Sequence, residues 1–111
     1  MVTEARTVRV LIADDQTLFR RGLARLLEED PRIALVGEAK DGLDAVQKAS
    51  ALEPDVVLMD LRMPGLDGAE ATEQIIRKNP AVKVLILSTF EADSYVLQAL
   101  RWSPKHVLYE S

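Results

Sequence analysis

The 111-residue chain has no cysteine, which excludes both a disulfide framework and a thiolate metal site. It has one histidine, His106, too few for a His-rich zinc site and a poor basis for a Ser-His-Asp triad. No apolar run approaches the ~18 residues that a membrane span needs. The opening MVTEARTVRV is polar and lacks the apolar core of a signal peptide. An excess of positive charge is missing too. With 14 Lys and Arg against 18 Asp and Glu, the net charge is −4, which argues against nucleic-acid contact by this chain. Repeats, low-complexity tracts and linkers are also absent. These absences leave a soluble, cytoplasmic domain as the expectation.

What is present suffices for one compact domain, since 48% of the residues are apolar. Short apolar runs recur: VRVLIA (Val8 to Ala13), IALVGEA (Ile33 to Ala39), DVVLM (Asp55 to Met59), VKVLIL (Val82 to Leu87) and HVLY (His106 to Tyr109). Their near-continuous Val, Ile and Leu content suits strands covered on both faces, hence a parallel sheet. Helical periods lie between them. Leu18, Phe19, Gly22, Leu23, Leu26 and Leu27 form one stripe, and Leu43, Val46, Ala49 and Leu52 a second. Ala71, Thr72, Ile75 and Ile76 form a third, and Tyr95, Val96, Ala99 and Leu100 a fourth. Asp41, Asp67 and Asp93 stand where N-caps belong, and Pro31, Pro54 and Pro80 follow the helix ends. The prediction is β-α-β-α-β-α-β-α-β, an open α/β sheet.

Sites in such sheets form at the carboxyl ends of the strands. Here the first run ends on Asp14-Asp15, the third on Asp60 and the fourth on Ser88-Thr89. Three carboxylates that converge repel one another unless a cation sits among them, and an all-oxygen ligand set suits Mg²⁺. Beside Mg²⁺ the Asp60 carboxylate is equipped to attack phosphorus and form an aspartyl phosphate. The hydroxyl of Ser88 or Thr89 would then donate to a phosphoryl oxygen. Pro64 and Gly65 would shape the adjoining loop, and the main-chain carbonyl of Arg62 would be a further metal ligand. Plainer roles compete. Asp14 or Asp15 alone would serve as a cap of the first helix, and Asp60 alone as a turn residue. Arg20, Arg21 and Arg25 read as a solvated helix face, and His106 as a half-exposed residue.

LIADDQTLFRRGLARLL, VGEAKDGLDAV, PDVVLMDLRMPGLDG and VKVLILSTFEADSYVLQALR together resemble the receiver domain of bacterial two-component response regulators. The likeness is greatest to the subfamily whose receiver precedes a LuxR/NarL-type helix-turn-helix DNA-binding domain. It covers about residues 8 to 101. It implies a doubly wound, five-stranded, flavodoxin-like (CheY-like) sheet of order 2-1-3-4-5. By the same likeness Asp60 matches the phosphoacceptor, Asp14 and Asp15 the acidic pair that holds Mg²⁺, and Arg62 the position whose carbonyl completes metal binding. Ser88 matches the switch hydroxyl, with Thr89 its neighbour. The resemblance further implies a sensor histidine kinase as phosphodonor, slow self-dephosphorylation rather than turnover as an enzyme, and homodimerisation.

The likeness stops after Arg101. Trp102 and Ser103 stand where small residues are usual, and Glu110 occupies the position, 22 residues after Ser88, of the family's lysine. A carboxylate there exchanges attraction for repulsion; unit charges ~4 Å apart interact by about 4 kcal/mol at an effective dielectric of ~20. Weakened phosphorylation is expected. The whole of 1–111 reads as a single receiver domain, atypical after residue 101, that ends before a fifth helix and leaves one sheet face for a second copy to cover. Three functions are therefore weighed: a phosphoacceptor signalling domain, a pseudo-receiver that only pairs, and an aspartyl-phosphate hydrolase. The hydrolase ranks last, since it needs a second carboxylate close after the nucleophile, and Arg62 stands two residues after Asp60.

Overall fold

In a computed structural model, residues 7–87 and the backbone of 107–110 are described. The elements run β1 (Val8–Ala13), α1 (Thr17–Glu28), β2 (Ile33–Ala39), α2 (Gly42–Leu52), β3 (Val56–Asp60), α3 (Gly68–Lys78), β4 (Lys83–Leu87) and β5 (Val107–Glu110). All adjacent strands pair in parallel, in the order β2-β1-β3-β4-β5. The predicted class and strand order are those observed. Three strands differ from the predicted runs by one residue at one or both ends: β3 starts at Val56 and takes in Asp60, β4 starts at Lys83, and β5 covers Val107–Glu110. The predicted fourth helix around Tyr95 to Leu100, with Asp93, Trp102 and His106, lies outside the described residues.

Alternation along the strands divides the interior into two layers. Leu11, Ala13, Val57, Met59, Val84 and Ile86 face α2 and α3, where they meet Ala45, Val46, Ala71, Ile75 and Ile76. Val10, Ile12, Leu58, Leu85 and Leu87 point to the other side, with Ala24, Leu23 and Leu27 of α1. At the edge, a register shift between Val10 and Leu11 leaves Val36 without a partner, so that Leu35 packs on the α1 side while Ala39 joins the α2–α3 side.

The helix ends follow their sequence signals. Asp41 accepts from the Asp44 amide at 2.8 Å, and Asp67 with Glu70 forms a reciprocal capping box at α3. α1 resolves one open alternative and corrects one expectation. Its N-cap is Gln16, so the plainer role weighed for Asp14 and Asp15, capping α1, is not the one observed. The predicted apolar stripe is also off-centre. Leu18 is 89% exposed, Leu26 66% and Phe19 49%. The inward face is instead Leu23, Ala24 and Leu27, flanked by the mostly buried Arg20. Counting only apolar residues displaced the stripe, because the residue completing the i, i+3, i+4, i+7 pattern is an arginine.

Candidate functional site

β1 and β3 are neighbours, with Ala13 paired to Met59, so Asp14 and Asp60 leave the sheet side by side. Asp14 is 4% exposed, and three bonds hold it. Its amide donates to the Ala39 carbonyl at 3.0 Å. Its Oδ1 accepts from the Gln16 amide at 2.8 Å, and its main-chain carbonyl accepts from Arg20 Nη1 at 2.7 Å. Asp15 follows in the exposed turn. Asp60 closes β3, and its Oδ1 accepts from the Arg62 amide at 3.2 Å. Beyond it the chain turns through Gly65, whose φ of 72° is the left-handed conformation that glycine adopts most readily. The Gly68 amide then donates back to the Leu61 carbonyl at 3.0 Å. One carboxylate oxygen each from Asp14, Asp15 and Asp60 lies within 4.8 Å of the other two.

The electrostatics follow from this crowding. Burial first, and then the charges of Asp14 and Asp15, push the Asp60 carboxyl up to about 6 against the opposing Arg62 amide and side chain. Asp14 is raised as well, first by burial and then by Asp15, against the Gln16 amide and Arg20. A hard divalent cation would relieve this repulsion. The donor set, three carboxylates with no sulfur or imidazole, fits Mg²⁺ by its chemistry.

Residues 10–108 match the family model described as the response regulator receiver domain. The chain belongs to that family. This receiver is 48% identical over 89 residues to the transcriptional regulatory protein LiaR of Bacillus subtilis strain 168, covering 80% of this chain and 42% of the relative. It is 42% identical over 94 residues to DegU of Brevibacillus brevis, covering 85% and 40%. Among solved structures, the signal receiver domain of NarL from Mycobacterium tuberculosis superposes with a TM-score of 0.81 at 38% identity, covering 94% of this chain and 84% of that one. The response regulator domain of Thermotoga maritima CheB gives 0.83 at 38% identity, covering 94% and 76%. The likeness to LuxR/NarL-type receivers is thus shown by sequence and by fold. The receiver spans about two fifths of the length of these curated relatives.

Of the residues predicted from sequence, the fold brings together Asp14, Asp15 and Asp60, with the Arg62 amide beside them. Ser88 and Thr89 lie outside the described residues. Glu110 ends β5 opposite Leu87, which in turn pairs with Asp60, so these three positions share one rung of the sheet. Sequence reasoning missed Arg20. It was read as solvent-facing, yet its side chain is 13% exposed and joined to Glu38 of β2 at 3.0 Å as well as to Asp14. Arg21, 61% exposed, does face water while reaching Glu38.

Proposed function

We propose that this receiver accepts a phosphoryl group on Asp60 in a Mg²⁺-dependent transfer from a sensor histidine kinase in the cytoplasm. The observation that carries the proposal is the convergence of Asp14, Asp15 and Asp60 at the carboxyl end of adjacent strands, in a chain of the receiver family. Asp14, Asp15, Asp60 and the Arg62 carbonyl would hold the ion, which supplies charge neutralisation for the incoming phosphoryl group. An Asp60 oxygen attacks phosphorus, the bond from phosphorus to the donor breaks, and the donor leaves with its electron pair. The Arg62 amide, already on Asp60 Oδ1, orients that carboxylate. Ser88, with Thr89 next to it, donates to a phosphoryl oxygen. The domain acts as a phosphoacceptor that loses its own phosphate slowly, rather than as a turnover enzyme. In the full-length protein it controls an attached LuxR-type DNA-binding domain, and it makes no nucleic-acid contact of its own. Among the described residues, no helix is long and apolar enough to cross a membrane.

Pairing of two copies is part of the proposal. On the α1 side of the sheet Val56, Leu85 and Leu87 are only partly covered, and α1 itself shows Leu18 and Leu26 to solvent. A second reading, a pseudo-receiver that pairs with impaired phosphorylation, is favoured by Glu110 on the rung of Asp60.

One experiment separates the two. The chain is incubated with Mg²⁺ and a small acyl-phosphate donor, and its intact mass is compared with those of Asp60→Asn and Glu110→Lys. The expected result is one added phosphoryl group, lost in Asp60→Asn and raised in occupancy in Glu110→Lys. No gain in the wild type but a gain in Glu110→Lys would establish the pseudo-receiver reading. A gain that persists in Asp60→Asn would overturn the assignment of the acceptor.

A further inference from the structure

Arg20 occupies the fourth position of α1, and its guanidinium turns inward instead of out to water. Its Nε donates to Glu38 Oε1 at 3.0 Å, and its Nη1 donates to the Asp14 carbonyl at 2.7 Å. Glu38 is itself fixed. It lies in β2 opposite Ile12 of β1, its second carboxylate oxygen accepts from Arg21, and its main-chain carbonyl accepts from Lys48 of α2 at 2.6 Å. The guanidinium therefore bridges an anchored carboxylate and the peptide plane between Asp14 and Asp15. That plane decides where the chain carries Asp15 after β1 ends. With the amide of Asp14 on Ala39 and its carboxylate on Gln16, every polar group of Asp14 has a partner, and Arg20 supplies the one on the carbonyl.

We propose that Arg20 is a positioning residue of the acidic cluster: by clasping the Asp14 carbonyl from its anchor on Glu38, it sets the β1–α1 turn so that Asp14 and Asp15 converge with Asp60 on a divalent cation. This rests on the reading of the cluster as a Mg²⁺ site. It also makes a prediction opposite to simple electrostatics. A cation beside the cluster repels Mg²⁺, so removing its charge alone would tighten binding. Removing a clasp loosens binding, because ligands held by outer partners typically lose 10- to 100-fold in metal affinity without them. Lysine keeps the charge but has a single ammonium, which replaces the planar fork that spans Glu38 and the carbonyl together.

The test is calorimetric titration of Mg²⁺ into the wild type, Arg20→Met and Arg20→Lys, with urea unfolding of each as a separate measure of stability. The expected result is a dissociation constant raised roughly ten-fold or more in both variants under conditions where each is folded. Tighter binding by Arg20→Met with no change in Arg20→Lys would show a charge effect and overturn the proposal. Lower stability with unchanged affinity in both would show a structural brace and overturn it equally, leaving the phosphoacceptor reading intact. A wild type that binds no Mg²⁺ would overturn both readings at once. Should Arg20→Met fail to fold, Arg20→Lys alone still decides, because the charge and brace readings both leave its affinity unchanged.

Discussion

Asp60 shows how burial and neighbours set the behaviour of one residue. Its carboxyl titrates near 6 in the folded chain, against an ordinary value of 3.8. A folded-state value above the unfolded one means that the folded chain binds the extra proton between these limits. The contribution of Asp60 to stability is then fullest below about pH 4 and is lost as the pH rises through 6. In the metal-free protein Asp60→Asn is expected to exceed the wild type in stability by about 1 kcal/mol at pH 7.5, after allowance for solvent screening of a partly exposed group. The gap should close as the pH falls towards 4. Urea unfolding across that range checks it, and a gap that does not change with pH would refute the mechanism. Asp30 and Asp44, whose carboxyls are held low by Arg32 and by the Lys40 amide and Lys48 side chain, act in the opposite sense. They are common to both proteins and drop out of the difference.

At the scale of elements, the site depends on how closely α3 approaches β3. Gly68 begins α3, and a Cβ there would overlap the Asp60 carbonyl oxygen and sit 2.5 Å from Leu61 Cα, both backbone atoms that do not yield. The glycine therefore allows the start of α3 to lie directly against the end of the strand that carries Asp60. Gly68→Ala should cost roughly 3 kcal/mol by overpacking. Gly22 on the exposed side of α1 is the control, since a Cβ there meets nothing within 4 Å. Gly22→Ala should gain about 0.5–1 kcal/mol through helix propensity. Urea midpoints of the two variants test the contrast, and equal shifts would refute it.

At the scale of the molecule, the two layers are unequally covered among the described residues. The α2–α3 side buries Val57, Met59, Val84 and Ile86 almost completely, whereas on the α1 side Val56, Leu85 and Leu87 keep partial access to solvent. The gain from covering them scales at about 25 cal/mol per Å² of apolar area, and the proposed pairing with a second copy would realise it. Sedimentation equilibrium of this chain at tens of micromolar is expected to show a dimer, and a monomer throughout would refute the pairing.

The fold class and the three acidic residues were legible in the sequence because they rest on local signals. Apolar runs of strand length, helix caps at Asp41 and Asp67, and charges at corresponding strand ends need no tertiary knowledge, and the family motifs added the order of strands. The face of α1 was not legible. An arginine in an otherwise apolar pattern is ordinarily solvated, and only the placement of Glu38 on β2 and of the Asp14 carbonyl beside it gives Arg20 partners that make burial favourable. The elevation of Asp60 likewise belongs to the tertiary structure. The sequence supplies three carboxylates; the fold buries Asp60, which raises its carboxyl most, and the pairing of β1 with β3 brings Asp14 and Asp15 within 4.8 Å, where their charges add to the rise.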